Sequence, residues 1–227
     1  MASSFVNKRK QTRLENSSDQ TLNEQTYNLV LGLVVAYGII MNIILCNCFP
    51  NILEYISPAA LYIIYFICAL AGILISNFSH NALISFLGYN LVVIPIGMVI
   101  SATLTYYGGV NSDVVSQAFL YTACMTAVMI VISILKPSLF QHLGKYLFVT
   151  LIAVSIGSFI GIFIEGVWVV TSWISAVLFS FYIGYDMYRA QQYSKTLDNA
   201  VDCAVDIYLD IANLFLRLLS IFGRKSD

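Results

Sequence analysis

Charged side chains are scarce in this chain of 227 residues. Asp, Glu, Lys and Arg together make up 10% of the sequence, and 59% of the residues are hydrophobic. A soluble globular domain carries about 25% charged residues. The formal net charge of −1 offers no basic surface to a nucleic acid. The composition therefore predicts a protein that crosses a lipid bilayer several times.

Catalytic patterns are also missing. The chain has two histidines, His80 and His142, and contains no H-E-x-x-H, G-x-S-x-G or P-loop motif. Each of these patterns brings together the groups that hydrolytic, nucleophilic or phosphate chemistry needs. We therefore expect no enzymatic activity and no tightly bound cofactor.

Long apolar runs make up most of the sequence. Each is close to the ~20 residues that span the hydrocarbon core as a helix. Only helices satisfy their backbone groups within such a run, so the predicted fold class is all-α. We predict a disordered cytosolic tail at 1–26, a single transmembrane domain at 27–223 and a short tail at 224–227. The first six spans are placed at about 27–47, 57–76, 82–104, 114–135, 145–164 and 167–187.

The basic residues suggest an orientation. No Lys or Arg occurs between Leu14 and Leu135, whereas the N-terminal tail carries the patch "KRKQTR". Basic residues are enriched in cytoplasmic loops. With the N-terminus in the cytosol, every predicted outer loop lacks Lys and Arg. A seventh span would place Arg224 and Lys225 outside, so charge alone leaves the last segment undecided.

That last segment, "VDIYLDIANLFLRLLSIFG" at Val205–Gly223, is apolar but carries a polar stripe. Residue spacings of three and four place the stripe on one face of a helix. Two arrangements fit. The helix could lie in the membrane interface with its acids in water, or it could be buried with the stripe facing a cavity. The stripe consists of Asp202, three residues before the segment, and of Asp206, Asp210, Asn213 and Arg217 within it.

Asp186 is a second acid in an apolar setting, in the predicted last turn of the sixth span. It could mark a hydrated cytosolic end, paired with Arg189, or it could meet Asp210. Two carboxylates that share a site cannot both ionise cheaply, so such a pair retains one proton. The protonated pair would tie the two helices together. The deprotonated pair would repel and could attract a hard cation such as Ca²⁺.

Two stretches resemble a known family. "FYIGYDMYRA" resembles the "YxxYD" end of the sixth helix in the Bax inhibitor-1 family, and "DIYLDIANLFLRLLSIFG" resembles that family's C-terminal "LYLDxxNLFxxLLxxxG" helix. The resemblance is specific over roughly residues 145–223. It implies seven transmembrane helices, arranged as two three-helix groups around a central C-terminal helix. It also implies a pH-sensitive calcium leak, gated by a carboxylate pair that the motifs place at Asp186 and Asp210, which would be transient Ca²⁺ ligands.

One departure concerns the counter-ion of the sixth-helix acid. Bacterial members carry basic residues at the cytosolic end of the second helix, whereas this chain has "ISNFSHN" there. His80 and Arg217 are the candidate replacements. Arg217 is seven residues beyond Asp210, about 10 Å along a helix, and is better placed to snorkel to the far interface. Asp206 is a candidate for the cytosolic vestibule.

Other functions fit the same residues. A membrane-embedded regulator would act by binding other membrane proteins, in stress or protease control, and a proton-coupled transporter of a small solute would also use a carboxylate pair. In the leading hypothesis the partners are the lipid bilayer, calcium ions and protons. The expected location is a bacterial plasma membrane, as a multi-pass integral protein with a cytosolic N-terminus.

Overall fold

A computed structural model describes residues 21–224, except for the side chains of Asn77 and Glu165. Most of the predicted tail, including its basic patch, lies outside the described residues, as do residues 225–227. No strand occurs within residues 21–224, so the all-α prediction is confirmed. In this part of the chain seven α-helices follow one another: α1 (Glu24–Cys48), α2 (Pro58–Phe78), α3 (Ala82–Tyr106), α4 (Asp113–Leu135), α5 (Gly144–Gly161), α6 (Glu165–Gln192) and α7 (Leu197–Gly223).

Polar caps explain where several helices begin. The side chain of Asn23 accepts a hydrogen bond from the Thr26 N–H, and Ser57 and Ser112 cap α2 and α4 in the same way. Such caps satisfy backbone N–H groups that have no partner inside the helix. Because Asn23 caps α1, this helix starts at Glu24, and the prediction of an irregular tail up to residue 26 is wrong by three residues.

Within the described residues, six helices are long and apolar enough to cross a membrane. They are α1 to α6, with spans of 18 to 27 residues. Their outward faces carry large exposed apolar side chains, which would promote aggregation in water. The chain is therefore an integral, multi-pass membrane protein. Those outward-facing side chains include Leu33, Phe66, Leu87, Leu120, Phe148 and Val177.

The helices form two compact units. The first contains residues 21–102 and Arg189–Tyr208, and the second contains Thr103–Tyr188 and residues 209–224. In the first unit, Ile52, Leu61, Val99 and Ala102 form a buried apolar cluster. In the second, Leu147, Val154 and Leu178 form another.

In the first unit, α2 and α3 approach closely at two glycines. A Cβ added to Gly88 would lie 2.8 Å from the carbonyl oxygen of Gly72, and a Cβ on Gly72 would collide with the carbonyl oxygen of Gly88. Small residues permit this kind of close backbone contact between membrane helices. Ser76 lies one turn after Gly72, and Ser85 lies three residues before Gly88, so the contact brings both serines to the same end of the hairpin.

Helix α7 is longer than predicted. It begins at Leu197 rather than near residue 203, because the Thr196 hydroxyl accepts the Asn199 N–H at 3.2 Å and caps the helix. No side chain from residue 198 to residue 223 is exposed. This burial contradicts the alternative of an interfacial helix whose acids face water. Residues up to Tyr208 pack in the first unit and those from Leu209 onward pack in the second.

Candidate functional site

Four acids form a column on helix α7. Asp198, Asp202, Asp206 and Asp210 follow one another at four-residue spacing, which keeps them on one helix face with a rise of about 6 Å per step. The side chains of Asp198 and Asp202 are each 3% exposed, Asp210 is 7% exposed, and Asp206 is half-buried. Buried carboxylates are costly unless they are hydrogen-bonded or share a proton.

The first two acids of the column bind serines of the α2–α3 hairpin. The Ser85 hydroxyl donates a hydrogen bond of 2.7 Å to Asp198, and the Ser76 hydroxyl donates one to Asp202. Both serines are themselves buried. The start of α7 is therefore fixed within the first unit by two buried hydroxyl–carboxylate bonds.

Sequence reasoning missed these two bonds. Asp202 was part of the predicted stripe without a partner, and Asp198 preceded the predicted helix. The four-residue spacing from residue 198 to residue 210 was the available signal. No sequence signal distinguished Ser76 and Ser85 from the other serines of the apolar segments, because their role depends on which helices meet.

Replacing Ser76 by alanine is expected to destabilise the protein by about 1.5–3 kcal/mol, the usual range for a hydrogen bond to a charged group. Replacing Ser101 by alanine is the matched control. Ser101 is a buried serine of α3 whose hydroxyl donates to a neutral acceptor, the Phe49 carbonyl, at 2.6 Å, so its loss should cost about 1 kcal/mol. Equilibrium unfolding in mixed detergent micelles measures both. Equal losses would indicate that Asp202 carries no charge in the folded protein.

The predicted gate residues are both buried. Asp186 lies on α6 and is 9% exposed, and Asp210 lies on α7. Helix α6 continues for six residues beyond Asp186 to Gln192, so the alternative in which Asp186 marks a hydrated helix end is wrong. Both acids belong to the second unit, and both interact with neighbouring groups. That the two carboxylates share a proton stays a prediction.

The candidate counter-ions have different surroundings. The Arg217 guanidinium donates to the Ser158 hydroxyl at 3.2 Å and lies 5.5 Å from the centre of the Trp168 ring. The Trp168 indole N–H in turn donates to Ser220 at 3.1 Å. Arg217 is thus held by α5 and α6 within the second unit. His80 is exposed in the turn between α2 and α3, in the first unit.

Among the residues whose placement the structure describes, no group of three or more His, Cys, Asp or Glu side chains could hold a metal ion. A carboxylate pair supplies fewer ligands than the six to eight oxygens of a stable calcium site. Any calcium bound at Asp186 and Asp210 would therefore complete its shell with water or backbone oxygens and would exchange readily.

Comparison with known proteins identifies the family. The family model described as inhibitor of apoptosis-promoting Bax1 matches residues 19–227. The chain belongs to this family. The match extends the resemblance, which the motifs carry only over roughly residues 145–223, to nearly the whole sequence.

The individual relatives named below each match about half of this chain. An uncharacterized protein of Helicobacter pylori is 37% identical over 114 residues, which are 49% of this chain and 48% of the relative. An uncharacterized membrane protein of Streptococcus pyogenes is 36% identical over 119 residues, 49% and 52% of the two chains. A Golgi anti-apoptotic protein of vaccinia virus is 29% identical over 126 residues, 55% and 52%. The chain spans about half the length of the curated relatives it matches.

Proposed function

We propose that this member of the Bax inhibitor family is a calcium leak channel whose opening depends on pH. Asp186 and Asp210 form the gate, and α7 is a seventh span at the centre of the six apolar helices. The observation that carries the proposal is the burial of both acids in one compact unit, on two helices joined by the short linker of residues 193–196. Two carboxylates that meet between neighbouring helices cannot both ionise cheaply, so such a pair retains one proton.

The gate follows from the charge of the pair. With one shared proton, a short hydrogen bond holds α6 against α7. When that proton leaves, two negative charges face each other and the helices separate. The same charges attract a divalent cation to the opened path. Calcium is the transported ion in this scheme, no cofactor takes part and no covalent chemistry is involved.

The orientation is part of the proposal. The N-terminus lies in the cytosol and the membrane is a bacterial plasma membrane, as the distribution of Lys and Arg favours. The linker between α6 and α7 is then cytosolic, and the gate responds to cytosolic pH. Asp206 is half-buried and lies between Asp202 and Asp210 in the column. It lines the approach to the gate.

Calcium flux into liposomes that contain the purified protein tests the proposal. Flux is expected to exceed that of protein-free liposomes and to rise with pH, by up to about tenfold per pH unit while the pair is still mostly protonated, because the deprotonated fraction grows by that factor. The absence of calcium flux at every pH would refute the channel.

A second function is a regulator that acts by binding other membrane proteins. The observation that favours it is the similarity to a viral protein named as anti-apoptotic. A regulator would co-purify with a membrane-protein partner, and its activity would be indifferent to substitution of Asp186 and Asp210. Affinity purification of wild type and of both Asp→Asn variants separates this function from the channel.

A further inference from the structure

The linker between α6 and α7 is tied to the end of α6 by its own lysine. The Lys195 ammonium donates to the carbonyl oxygens of Ala190 at 3.2 Å and Gln191 at 2.9 Å. These carbonyls belong to the last turn of α6, the negative end of the helix dipole, so a cation there is favourable. Burial lowers the pKa of Lys195, and the negative charge of Glu24 partly offsets that effect.

The N-terminal segment binds the same linker. The Leu22 N–H donates to the Lys195 carbonyl oxygen at 2.6 Å. The side-chain amide of Gln191 donates to Asn28 Oδ1 at 2.8 Å. Residues separated by more than 160 positions in the chain are thus joined by both a backbone and a side-chain hydrogen bond.

Tyr27 is the centre of this contact. Its side chain is fully buried, and its hydroxyl donates to the Ala190 carbonyl oxygen at 3.1 Å. The Lys195 ammonium lies 4.5 Å from the centre of the Tyr27 ring, within the range of a cation–π interaction. The Tyr27 hydroxyl also lies 3.6 Å from the sulfur of Cys203, which is 2% exposed. Tyr27 therefore contacts the end of α6, the linker and the first part of α7.

We call this set of contacts the N-terminal clasp: Leu22, Tyr27 and Asn28 on one side, and Ala190, Gln191, Lys195 and Cys203 on the other. The clasp lies close in sequence to both gate residues. Ala190 is one turn after Asp186 on α6, and Cys203 is two turns before Asp210 on α7. The linker of residues 193–196 joins α6 to α7, and a change in the angle between the two helices moves the ends that this linker connects.

We infer that the N-terminal clasp is an autoinhibitory contact, which restrains the α6–α7 linker and thereby limits how far the two gate helices separate. This inference rests on the proposed function, because it concerns the same gate. The clasp consists of a few hydrogen bonds and one cation–π contact near the chain terminus. Such contacts open locally at a small cost, without global unfolding.

The reactivity of Cys203 towards a maleimide reports on the clasp independently of calcium flux. In a background in which Cys46, Cys48, Cys68 and Cys124 are replaced by serine, Cys203 should react slowly, because it is buried and its sulfur contacts the Tyr27 hydroxyl. Tyr27→Ala is expected to raise the labelling rate by about thirtyfold, since it removes a hydrogen bond and a cation–π contact of about 1 kcal/mol each. Tyr27→Phe, which retains the ring, should raise it by roughly fivefold.

Two further variants make the result specific. The double variant Asn28→Ala, Lys195→Met loosens the clasp without removing the Tyr27 side chain that contacts Cys203, and it should also raise labelling. Tyr55→Ala is the matched control, because Tyr55 is 80% exposed in the loop after α1. An increase confined to Tyr27→Ala would indicate a local cavity and would overturn the inference, as would an increase in the Tyr55 variant.

Calcium flux then tests the regulatory role. At a pH where wild-type flux is low, the clasp variants should raise it by about the same factor as they raise labelling, while flux still rises with pH. Increased labelling with unchanged flux in a conducting protein would overturn the inference. A wild type that conducts no calcium at any pH would instead refute the proposed function, and the labelling rates would still show whether the clasp opens.

Discussion

Asp186→Asn and Asp210→Asn are each expected to abolish the response of calcium flux to pH and to hold flux at the low level of the closed state. An asparagine amide cannot lose a proton in this range, but it can donate a hydrogen bond to the remaining carboxylate. The variant pair therefore stays bonded at every pH. Wild-type flux, by contrast, should change by about tenfold or more across the titration. The two variants should behave alike, because a shared proton belongs to the pair.

Asp113→Asn is the matched control for these variants. Asp113 is an exposed acid at the start of α4, and its replacement should leave both the flux and its pH response unchanged. A pH response that survives in either gate variant would place the sensor elsewhere. Asp206 and His80 would then be the next residues to replace.

Gly88→Leu is expected to destabilise the protein by about 3 kcal/mol or more, the upper end for a side chain forced into a tightly packed site. Even a Cβ at this position would lie 2.8 Å from the Gly72 carbonyl oxygen and 3.1 Å from the Ser76 backbone nitrogen. Backbone atoms cannot move aside as a flexible side chain can, so α2 and α3 must separate. Their separation would also pull Ser76 and Ser85 away from the acids of α7.

Gly32→Leu provides the comparison for Gly88→Leu. A Cβ at Gly32 of α1 would have no neighbour within 4 Å, and leucine has a higher helix propensity than glycine by up to about 1 kcal/mol. This variant should therefore be as stable as wild type or slightly more so. Denaturant titration in micelles measures both free energies of unfolding. Equal stability of the two leucine variants would contradict the close packing of α2 and α3.

The apolar runs made much of the fold predictable. Each of the six spans appeared as a stretch of about 20 residues, which composition alone reveals because lipid excludes charge. The ends of the helices were less predictable from the sequence, since they depend on local caps. Thr196 and its bond to the Asn199 N–H set the start of α7, whereas the sequence pattern showed only where the apolar part of that helix began.

Part of the candidate site was predictable from local sequence patterns. The four-residue spacing revealed the acid stripe of α7, and an acid in an apolar run drew attention to Asp186. The partners were hidden, because pairs such as Ser76 and Asp202 are 126 residues apart and are joined only by tertiary packing. The contacts of Tyr27 were hidden for the same reason. Local patterns carry no information about which of several serines or tyrosines a distant helix will meet.

The infrared absorption of protonated carboxyl groups tests the shared proton most directly. Reconstituted wild-type protein is predicted to show a protonated-carboxyl band that fades over the pH range in which calcium flux rises. The same band should be missing from both Asp186→Asn and Asp210→Asn. A band that persists unchanged in both variants would belong to other acids, such as Asp198 or Asp202. That result, or the absence of any such band from the wild type, would contradict the proton-sharing gate.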